Sequence, residues 1–293
     1  MSSDAADSAS ARAFVALQYL LPQHLLTALV YRLARSRQRW LKNLLIRSFV
    51  NHYRPELSEA QQPQPLAYDS FNAFFTRALR PEARPIDPDP ALLLSPVDGA
   101  VSQLGALDGA WLPQAKGHAY TLETLLAGDP QWAQAFRGGL FATLYLAPCN
   151  YHRVHMPLAG TLRAAWYVPG QLFSVNAVTA ALVPGLFARN ERVVCVFEND
   201  ELTFAVVLVG ALFVGSIGTV WHGEVTPRRP RAPCPLPLEA SRAALSQERG
   251  AELGRFNMGS TVILLLPPGG YLWQAGLAPG AAVRVGMPLA RRL

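Results

Sequence analysis

The sequence predicts an α+β protein that is mostly β: a sandwich-like domain of short strands with peripheral helices, preceded by an N-terminal amphipathic helical arm. The 293 residues are 51% hydrophobic and 16% charged, against roughly 25% charged in an average soluble protein, so the chain can bury a large core. Its 24 prolines and 22 glycines interrupt the chain too often for a bundle of long helices. From Leu92 onward, short apolar runs end at Gly, Pro or Asp, a pattern typical of strands.

The N-terminal arm, residues 1–65, carries the positive charge of the chain. Between Ala11 and Arg54 there are eight Arg and Lys residues and no acidic one, whereas the whole chain has a net charge of +6. Leucines and other apolar residues recur at helical spacing from Leu25 to Phe49, with arginines between them. A basic amphipathic helix in an anionic membrane surface explains both features. The alternative is an amphipathic helix packed on the protein's own core.

The run Ala13–Tyr31 contains 19 residues without a charged side chain, close to the length that spans a bilayer. Pro22, Gln23 and His24 interrupt its centre, where polar groups would be costly. No small-residue cleavage site follows, so we do not predict a signal peptide. No nucleic-acid-binding module accompanies the arginines, and we expect no nucleic-acid partner. The membrane surface is the favoured partner of the arm.

The body, residues 66–293, follows the linker that the composition of 54–65 predicts. SFNAFFTRAL (70–79) predicts a short helix, and the prolines of 81–90 predict irregular chain. The valines and glycines of 202–221 favour two buried strands and a turn over a transmembrane helix. Five prolines predict a loop over 226–238, before a short helix in SRAALSQERGAEL (241–253). The remaining segment, from 260 to the end, returns to strands.

Three cysteines, Cys149, Cys195 and Cys234, are widely spaced and form no CxxC pair. An odd number at such spacing argues against a disulfide framework and against a cysteine zinc site. The pattern fits a reducing compartment.

Three clusters combine reactive side chains with strand-like flanks: SPVDG (95–99), NYHRVHMP (150–157) and ELGRFNMGSTVILL (252–265). In an Asp–His–Ser set, the carboxylate orients the imidazole, which removes the serine proton. Each group also has a structural interpretation. A Pro-x-Asp-Gly sequence is a common turn, and a Ser-Thr pair can simply begin a strand. Spacing alone leaves both open.

Taken together, these motifs resemble the bacterial type of phosphatidylserine decarboxylase. The resemblance rests on MGST preceded by GAELGRF, with YHRVHMP and SPVDG upstream. PGQLFSVN (169–176), LFARNERV (186–193) and IGTVWHGEVTP (217–227) are similar to further family segments, in the same order. The similarity runs through most of the chain after Tyr68, and the arm is a looser match. Asn150 stands where the family usually has Asp, and Met258 where Leu is more usual.

The resemblance implies a proenzyme that cleaves itself between Gly259 and Ser260. The products would be a β chain, residues 1–259, and an α chain, residues 260–293. The serine attacks the preceding carbonyl to give an ester, and elimination and hydrolysis then convert Ser260 into a covalent pyruvoyl group. A glycine at 259 leaves that carbonyl open to close approach.

The charge-relay trio of the family maps to Asp98, His155 and Ser260. The resemblance implies that Ser260 is the nucleophile, that His155 is the general base and that Asp98 orients His155. The pyruvoyl cofactor would form a Schiff base with phosphatidylserine and take up the electrons left when CO2 departs, which yields phosphatidylethanolamine. His152 is predicted to deliver the proton in this second reaction. No metal is required.

The resemblance also implies partners and a location. The substrate is a lipid, so we expect peripheral attachment to the anionic cytoplasmic face of the bacterial inner membrane. The α and β chains should stay associated after cleavage. Association with further copies of the chain is left open.

Two other classes of protein are considered. In a zinc endopeptidase, His118, His152, His155 and Asp98 would ligate the metal, but the His-x-His spacing of such enzymes and a cleavable export signal are missing. In a membrane-attached carrier, the Gly- and Val-rich segments SPVDGAVSQLG and LAPGAAVRVGMPLA would form lipoyl-like hairpins. No modifiable Lys lies at a suggestive hairpin tip, which counts against a carrier.

Overall fold

The computed structural model describes residues 8–214, 216–226, 230–238 and 245–293. Strands and helices both contribute, the paired strands are antiparallel, and the predicted α+β class with a mostly β body is confirmed. The largest sheet contains the following strands: β2 (Gly99–Ala106), β5 (Leu140–Leu146), β7 (Gly160–Val168), β8 (Arg192–Glu198), β9 (Thr203–Val209), β12 (Cys234–Pro235), β13 (Ser246–Gln247), β15 (Ser260–Leu266) and β17 (Ala282–Val283).

The strand order of this sheet is β12-β7-β8-β9-β15-β5-β2-β17, with β13 also paired to β7. β15 therefore lies in the interior of the sheet, with β5 on one edge and β9 on the other. All seven of its residues are 1% exposed or less. A strand covered on both faces is a continuous apolar run rather than an alternating one, as the sequence STVILLL shows.

Three smaller sheets surround the large one. The first has the order β1-β18-β16, the second β11-β10-β14-β6, and the third is the hairpin β3-β4. Their bounds are β1 (Leu92–Leu94), β3 (Trp111–Pro113), β4 (Ala119–Thr121), β6 (Arg153–His155), β10 (Ile217–Thr219), β11 (Gly223–Glu224), β14 (Glu252–Phe256), β16 (Tyr271–Trp273) and β18 (Pro288–Arg292).

The longest helices among the described residues form the N-terminal arm. The helices are α1 (Ala9–Leu20), α2 (Gln23–Ala34), α3 (Arg39–Tyr53), α4 (Phe71–Phe75), α5 (Leu122–Leu126), α6 (Pro130–Phe136), α7 (Ala177–Leu182) and α8 (Leu186–Arg189). Within the described ranges, none of them alone has the length and apolarity of a membrane span, although α1 and α2, which meet at 87°, pass that test as a bent pair.

The arm docks on the body through polar side chains. Gln18 of α1 accepts a hydrogen bond from the amide of Ser174 at 2.8 Å, and Gln23 of α2 accepts one from the amide of Leu172 at 2.7 Å. One turn further along α2, Thr27 accepts a hydrogen bond from the amide of Phe213 at 3.3 Å. These contacts hold the arm in one orientation on the body.

Helix α2 buries polar side chains and exposes apolar ones, which is the reverse of an ordinary surface helix. Its buried residues are Gln23, Thr27 and Ala34, whereas Leu25 is 69% exposed and Leu29 is 53% exposed. Water-facing helices normally bury the leucines and expose the polar side chains. The apolar face of α2 is therefore turned away from the body.

Several local predictions can now be compared with the structure. The helix predicted over 70–79 is shorter, because α4 ends at Phe75. The run 202–221 forms two buried strands as predicted, but they lie in different sheets, and residue 215 falls outside the described residues. The loop predicted over 226–238 contains the short strand β12, and 227–229 are not described.

Two further predictions need correction. The helix predicted over 241–253 is wrong in its second half, where β13 and the start of β14 are strands, and 241–244 are not described. The strand pairing of Ser246 and Gln247 with β7 outweighs the helical propensity of this short segment. The linker predicted over 54–65 is packed on the body, since Ala60 bridges to Leu79 and Glu59 binds Arg84.

Candidate active site

The predicted cleavage junction connects two sheets. β14 belongs to the four-stranded sheet and β15 to the interior of the largest one, so residues 257–259 carry the chain between them. Ser260 pairs with Leu146 of β5, and Thr261 pairs with Val209 of β9. Backbone pairing on both edges therefore fixes β15 immediately after the junction.

Met258, the residue before Gly259, has a strained backbone. Its φ is 128°, a region that residues with a side chain rarely adopt. Such a conformation costs about 1–3 kcal/mol and persists only where the surroundings enforce it. The preceding Asn257 is held by its surroundings: its amide donates to the carbonyl of Ser216 at 2.9 Å, and its side chain is hydrogen-bonded to the Ser216 hydroxyl at 2.5 Å and to Asn72 at 3.0 Å.

Crowding does not explain the glycine at 259. A Cβ built there would lie 3.5 Å from the carbonyl oxygen of Leu146 and 3.7 Å from Cε1 of His152, which are ordinary contact distances. The absence of a side chain at 259 fits the prediction that Ser260 attacks this carbonyl at close range.

Ser260 and His152 each have a buried polar atom without a partner. Both residues are 0% exposed, and neither Oγ of Ser260 nor Nδ1 of His152 is hydrogen-bonded within the described part of the chain. Nε2 of His152 lies 3.2 Å from the carbonyl oxygen of Pro148, which can only accept, so Nε2 carries the proton and Nδ1 a free lone pair. Buried polar atoms are normally paired, and unpaired ones often indicate a functional site.

Burial lowers the pKa of His152 to about 3. The ring also stacks on Phe75, with the ring centroids 4.1 Å apart. His152 is therefore neutral at neutral pH, and the aromatic contact fixes the plane of the ring. Of the two predicted histidines, it is the one that contacts the position of residue 259.

His155 is positioned by different contacts. Its Nδ1 lies 2.7 Å from the carbonyl oxygen of Gly250 and its Nε2 lies 3.0 Å from the hydroxyl of Tyr151. The carbonyl fixes the tautomer with the proton on Nδ1, so the lone pair on Nε2 faces Tyr151. Burial lowers the pKa of His155, which keeps the ring in its proton-accepting form.

Asp98 is buried, and its carboxylate is held by Arg84. Nε of Arg84 donates to Oδ1 at 2.9 Å, Nη2 bonds the other oxygen, and the amide of Val285 donates to Oδ1 at 2.9 Å. Burial alone would lower the pKa of Arg84, but its bonds to Asp98 and Glu59 outweigh that effect and raise the pKa. Among the described residues, Asp98 makes no hydrogen bond to either ring nitrogen of His155. Their connection is through the backbone, where the amide of His155 donates to the carbonyl of Pro96 at 2.8 Å.

The arrangement of the predicted trio thus differs from a hydrogen-bonded relay. The carbonyl of Gly250 orients His155, a role predicted for Asp98, while Arg84 neutralises Asp98. Sequence reasoning missed Arg84, Gly250 and Tyr151. Arg84 lies in a proline-rich stretch interpreted only as irregular chain, and a backbone carbonyl leaves no signal in a sequence. Asp98, His155, His152 and Ser260 remain predictions as to role.

Asn150 replaces the Asp of the family pattern and still forms a hydrogen bond. Its side-chain oxygen accepts from the amide of Ala147 at 2.8 Å. This bond closes the turn that leads from β5 into His152. The amide is sufficient for that local role, because an acceptor oxygen is all the turn needs.

A titratable group lies on the other side of β15. Val209 of β9 is the partner of both Thr261 and Arg192, and just beyond these pairs the amide of Gly210 donates to the carbonyl of Glu191 at 2.8 Å. Glu191 accepts a hydrogen bond from Tyr167 at 2.9 Å, and burial raises the pKa of its carboxyl to about 7. Sequence analysis pointed to this segment only through its resemblance to the family.

The neighbours of Glu191 in the sequence have structural contacts. Asn190 donates to the carbonyls of Phe173 and Gly210, at 2.8 and 2.9 Å. The fully buried guanidinium of Arg192 donates only to backbone carbonyls, for example that of Ala188 at 2.7 Å. Both side chains close loops at this end of the sheet.

A cavity of about 400 Å³ lies next to the junction. Its walls are mostly apolar, and they come from the arm helices α2 and α3, from Phe71 and from Met258. The cavity therefore separates the arm helices from the residue that precedes Gly259.

The ligand set considered for zinc is not assembled. Throughout the described ranges, no three His, Cys, Asp or Glu side chains are grouped so that they could hold a metal ion. The zinc endopeptidase interpretation therefore lacks a site in this part of the chain.

Comparison with known proteins identifies the family. A family model described as phosphatidylserine decarboxylase matches residues 71–291, and a second, described as PSD, matches residues 13–54. The chain belongs to the phosphatidylserine decarboxylase family.

Individual relatives agree. The chain is 54% identical over 278 residues to the phosphatidylserine decarboxylase proenzyme of Pseudomonas fluorescens, covering 95% of this chain and 96% of that protein. It is 52% identical to the proenzyme of Methylococcus capsulatus, with 94% and 95% covered. It is 51% identical to that of Azotobacter vinelandii, with 95% and 97% covered. The predicted family is confirmed, and the chain is a phosphatidylserine decarboxylase by these relations.

Proposed function

We propose that this phosphatidylserine decarboxylase cleaves itself between Gly259 and Ser260 and uses the resulting pyruvoyl group to convert phosphatidylserine into phosphatidylethanolamine. The observation that carries the proposal is the junction itself. A strained residue, a glycine without a side chain beside the carbonyl and a buried serine hydroxyl without a partner follow one another directly. This environment fits the precursor of a pyruvoyl group, since an unpaired hydroxyl next to a strained peptide is free to react.

The first reaction uses only groups of this chain and water. Oγ of Ser260 adds to the carbonyl carbon of Gly259, its proton passes to a histidine, and the C–N bond breaks, which leaves an ester and a free amino group on Ser260. Removal of the Cα proton of Ser260 then expels the Gly259 carboxylate. Hydrolysis of the resulting unsaturated amine gives the ketone and ammonia, so that no external oxidant is needed.

Two histidines are candidates for the Ser260 proton. The resemblance assigns it to His155, whose tautomer places the lone pair on Nε2, 3.0 Å from the Tyr151 hydroxyl. The geometry adds His152, whose unpaired Nδ1 lies in the ring that contacts the position of residue 259. A pKa of about 3 makes His152 a weak base, which favours His155 for proton removal. The proposal that His152 delivers a proton in the second reaction is supported by the contact of its ring with the position of residue 259.

These assignments can be separated by single substitutions. His155→Ala should leave the chain uncleaved, whereas His152→Ala should cleave and then fail in decarboxylation. The reverse pattern would assign the serine proton to His152.

The pyruvoyl group would supply a carbonyl that binds the substrate amine covalently and accepts the electron pair released with CO2. The residues around it exclude water, because the strand and the histidine beside it are fully buried. His152 would deliver the proton that replaces the carboxyl group, since its ring contacts the position of residue 259.

The arm is proposed to bring the lipid to this site. Its large exposed apolar residues include Leu20, Leu25, Leu29, Trp40 and Leu44, and the arm carries eight basic residues and no acidic one from 11 to 54. An apolar face with basic residues around it binds anionic lipid surfaces. The cavity between the arm and Met258 would admit an acyl chain from that surface towards the junction.

The location and assembly follow from the same proposal. The enzyme would act in phospholipid biosynthesis, as a peripheral protein on the cytoplasmic face of the inner membrane. After cleavage, β15 to β18 would belong to the short chain and would stay paired with strands of the long chain. The two chains would therefore remain associated without a covalent bond.

Mass spectrometry of the purified protein tests the proposal. We expect a chain that ends at residue 259 and a 34-residue chain, 260–293, whose first residue has the mass of a pyruvoyl group. Ser260→Ala should remain one chain and be inactive on vesicles that contain phosphatidylserine. Hydroxylamine should inactivate the wild type, whereas EDTA should not. An intact, unmodified Ser260 in active material would contradict the proposal.

A further inference from the structure

We propose that the N-terminal arm holds the Gly259–Ser260 junction in the geometry that cleaves, so that self-processing depends on the docked arm. Arg35, at the end of α2, is the positioning residue in this proposal. The inference rests on the proposed cleavage at residue 259 and adds to it a second role for the arm, separate from membrane attachment.

A chain of polar contacts runs from the arm, where Arg35 is partly buried and Glu224 is exposed, to the buried residues Ser216 and Asn257 before the junction. Nη2 of Arg35 donates to Oγ of Ser216 at 3.1 Å and also bonds Glu224. The same Ser216 hydroxyl donates to Glu224 and accepts from the side chain of Asn257 at 2.5 Å. Ser216 is fully buried and Asn257 is 7% exposed. Water therefore cannot take the place of a hydrogen-bond partner that either side chain loses.

Tyr31 strengthens the arm's hold on Glu224. Its hydroxyl donates to the second carboxylate oxygen of Glu224 at 2.8 Å. The guanidinium of Arg35 lies over the Tyr31 ring, 3.7 Å from the ring centre. Two residues of the arm therefore fix the carboxylate, the carboxylate fixes the Ser216 hydroxyl, and that hydroxyl fixes Asn257.

An apolar contact reaches the next residue along the chain. Met258 packs against the cluster that includes Ala34, Ile46 and Phe49 of the arm, together with Phe71. Phe49 contacts Phe71 with ring centroids 5.4 Å apart. Both residues before Gly259 are thus held by the arm, one through hydrogen bonds and the other through packing.

This matters because Met258 is strained. Its φ of 128° is kept only while its neighbours enforce it. If the arm releases Asn257 or Met258, the backbone relaxes and the position of the Gly259 carbonyl relative to the Ser260 hydroxyl changes. A misplacement of about 1 Å between reacting groups can slow a reaction about 100-fold.

The test follows the appearance of the 34-residue chain from freshly synthesised full-length proenzyme. Arg35→Ala removes charged hydrogen bonds and should slow cleavage about tenfold. Arg32→Ala is the matched control, because Arg32 is an exposed arginine of the same helix, and it should cleave at the wild-type rate. Tyr31→Phe, which removes a single hydroxyl, should slow cleavage about twofold. Equal rates for Arg35→Ala, Tyr31→Phe and Arg32→Ala would overturn the inference.

A rescue experiment separates positioning from general destabilisation. Arg35→Lys keeps a charged donor at this position, so it should cleave faster than Arg35→Ala while the two variants have similar melting temperatures in the Ser260→Ala background. If Arg35 only stabilised the fold, the cleavage rates would follow the melting temperatures of the variants, which would contradict the role assigned here. A wild-type chain that never cleaves at residue 259 would instead refute the proposed function, which distinguishes the two failures.

Discussion

The two sides of the cleavage junction are held by different kinds of interaction. On the carboxyl side, β15 is paired along both edges and fully buried. On the amino side, Asn257 is held mainly by side-chain contacts and Met258 has a strained backbone. The carboxyl side therefore depends on the stability of the whole sheet, whereas the amino side depends on a few contacts that single substitutions can remove.

The comparison predicts that variants of the two sides will fail differently. Substitutions in β15 should strongly destabilise the fold. Substitutions around the amino side should alter cleavage, activity or pH dependence while the protein stays folded. The stability measurements below use the Ser260→Ala background, so that cleavage does not interfere.

The largest effect is expected inside β15. Leu264 is 1% exposed, so Leu264→Ala leaves a cavity in the core. The free energy of unfolding should fall by about 4 kcal/mol. Urea denaturation measures the change. Leu272→Ala, at a position that is 59% exposed, should change it by less than about 0.5 kcal/mol. Similar losses for the two variants would contradict the proposed importance of the strand.

The next effect is a pH dependence caused by His152. Its pKa is about 3 in the folded protein and near 6.5 in an unfolded chain, so the unfolded state binds the proton first as the pH falls. The stability contributed by the neutral ring is complete above pH 6.5 and is lost as the pH falls towards 3. Between pH 7 and pH 4, the free energy of unfolding should fall by about 3 kcal/mol more in the protein with His152 than in the His152→Gln variant. Parallel pH profiles would show that His152 is not buried in its neutral form.

A smaller effect is expected at Arg84. Arg84→Ala would leave the buried carboxylate of Asp98 with the Val285 amide as a remaining partner, at a cost of about 2 kcal/mol. Thermal unfolding measures this loss. Arg80→Ala is the control, because its ion pair with Glu82 is exposed and should contribute less than about 0.5 kcal/mol. An unchanged melting temperature in Arg84→Ala would show that solvent replaces the guanidinium.

The smallest effect on stability is expected on the outer face of the arm. Leu29→Ser should change the free energy of unfolding by less than about 0.5 kcal/mol, since Leu29 is 53% exposed. Binding to vesicles that contain anionic lipid should weaken about tenfold, because a leucine no longer enters the membrane. Vesicle sedimentation measures the binding. Leu272→Ser, an exposed leucine of the body, should bind as the wild type does.

Much of the fold could be predicted because apolar periodicity reports burial directly. The run 260–266 was predicted to be a strand from its residues alone, and it is the buried interior strand β15. The helix predicted over 241–253 is wrong in its second half, because strand pairing outweighs local helical propensity there. The family signature also located Asp98, His152, His155 and Ser260 in the chain.

The contacts of those residues could not be predicted. Gly250 orients His155 through a carbonyl, which every residue possesses, so no side-chain pattern marks it. Arg84 reaches Asp98 across 14 positions of irregular chain, where no periodicity relates them. The orientation of α2 was also hidden, because a sequence shows which residues share a helix face but not which face meets the body.

The position of β15 has a consequence for the lifetime of the enzyme. Under the proposed cleavage, the reactive end group is generated in the interior of a finished protein, at the first residue of a strand that other strands enclose. The short chain cannot be exchanged without dismantling that interior. Each molecule would therefore make its reactive group once, and chemical damage to it would be repaired only by synthesis of a new polypeptide.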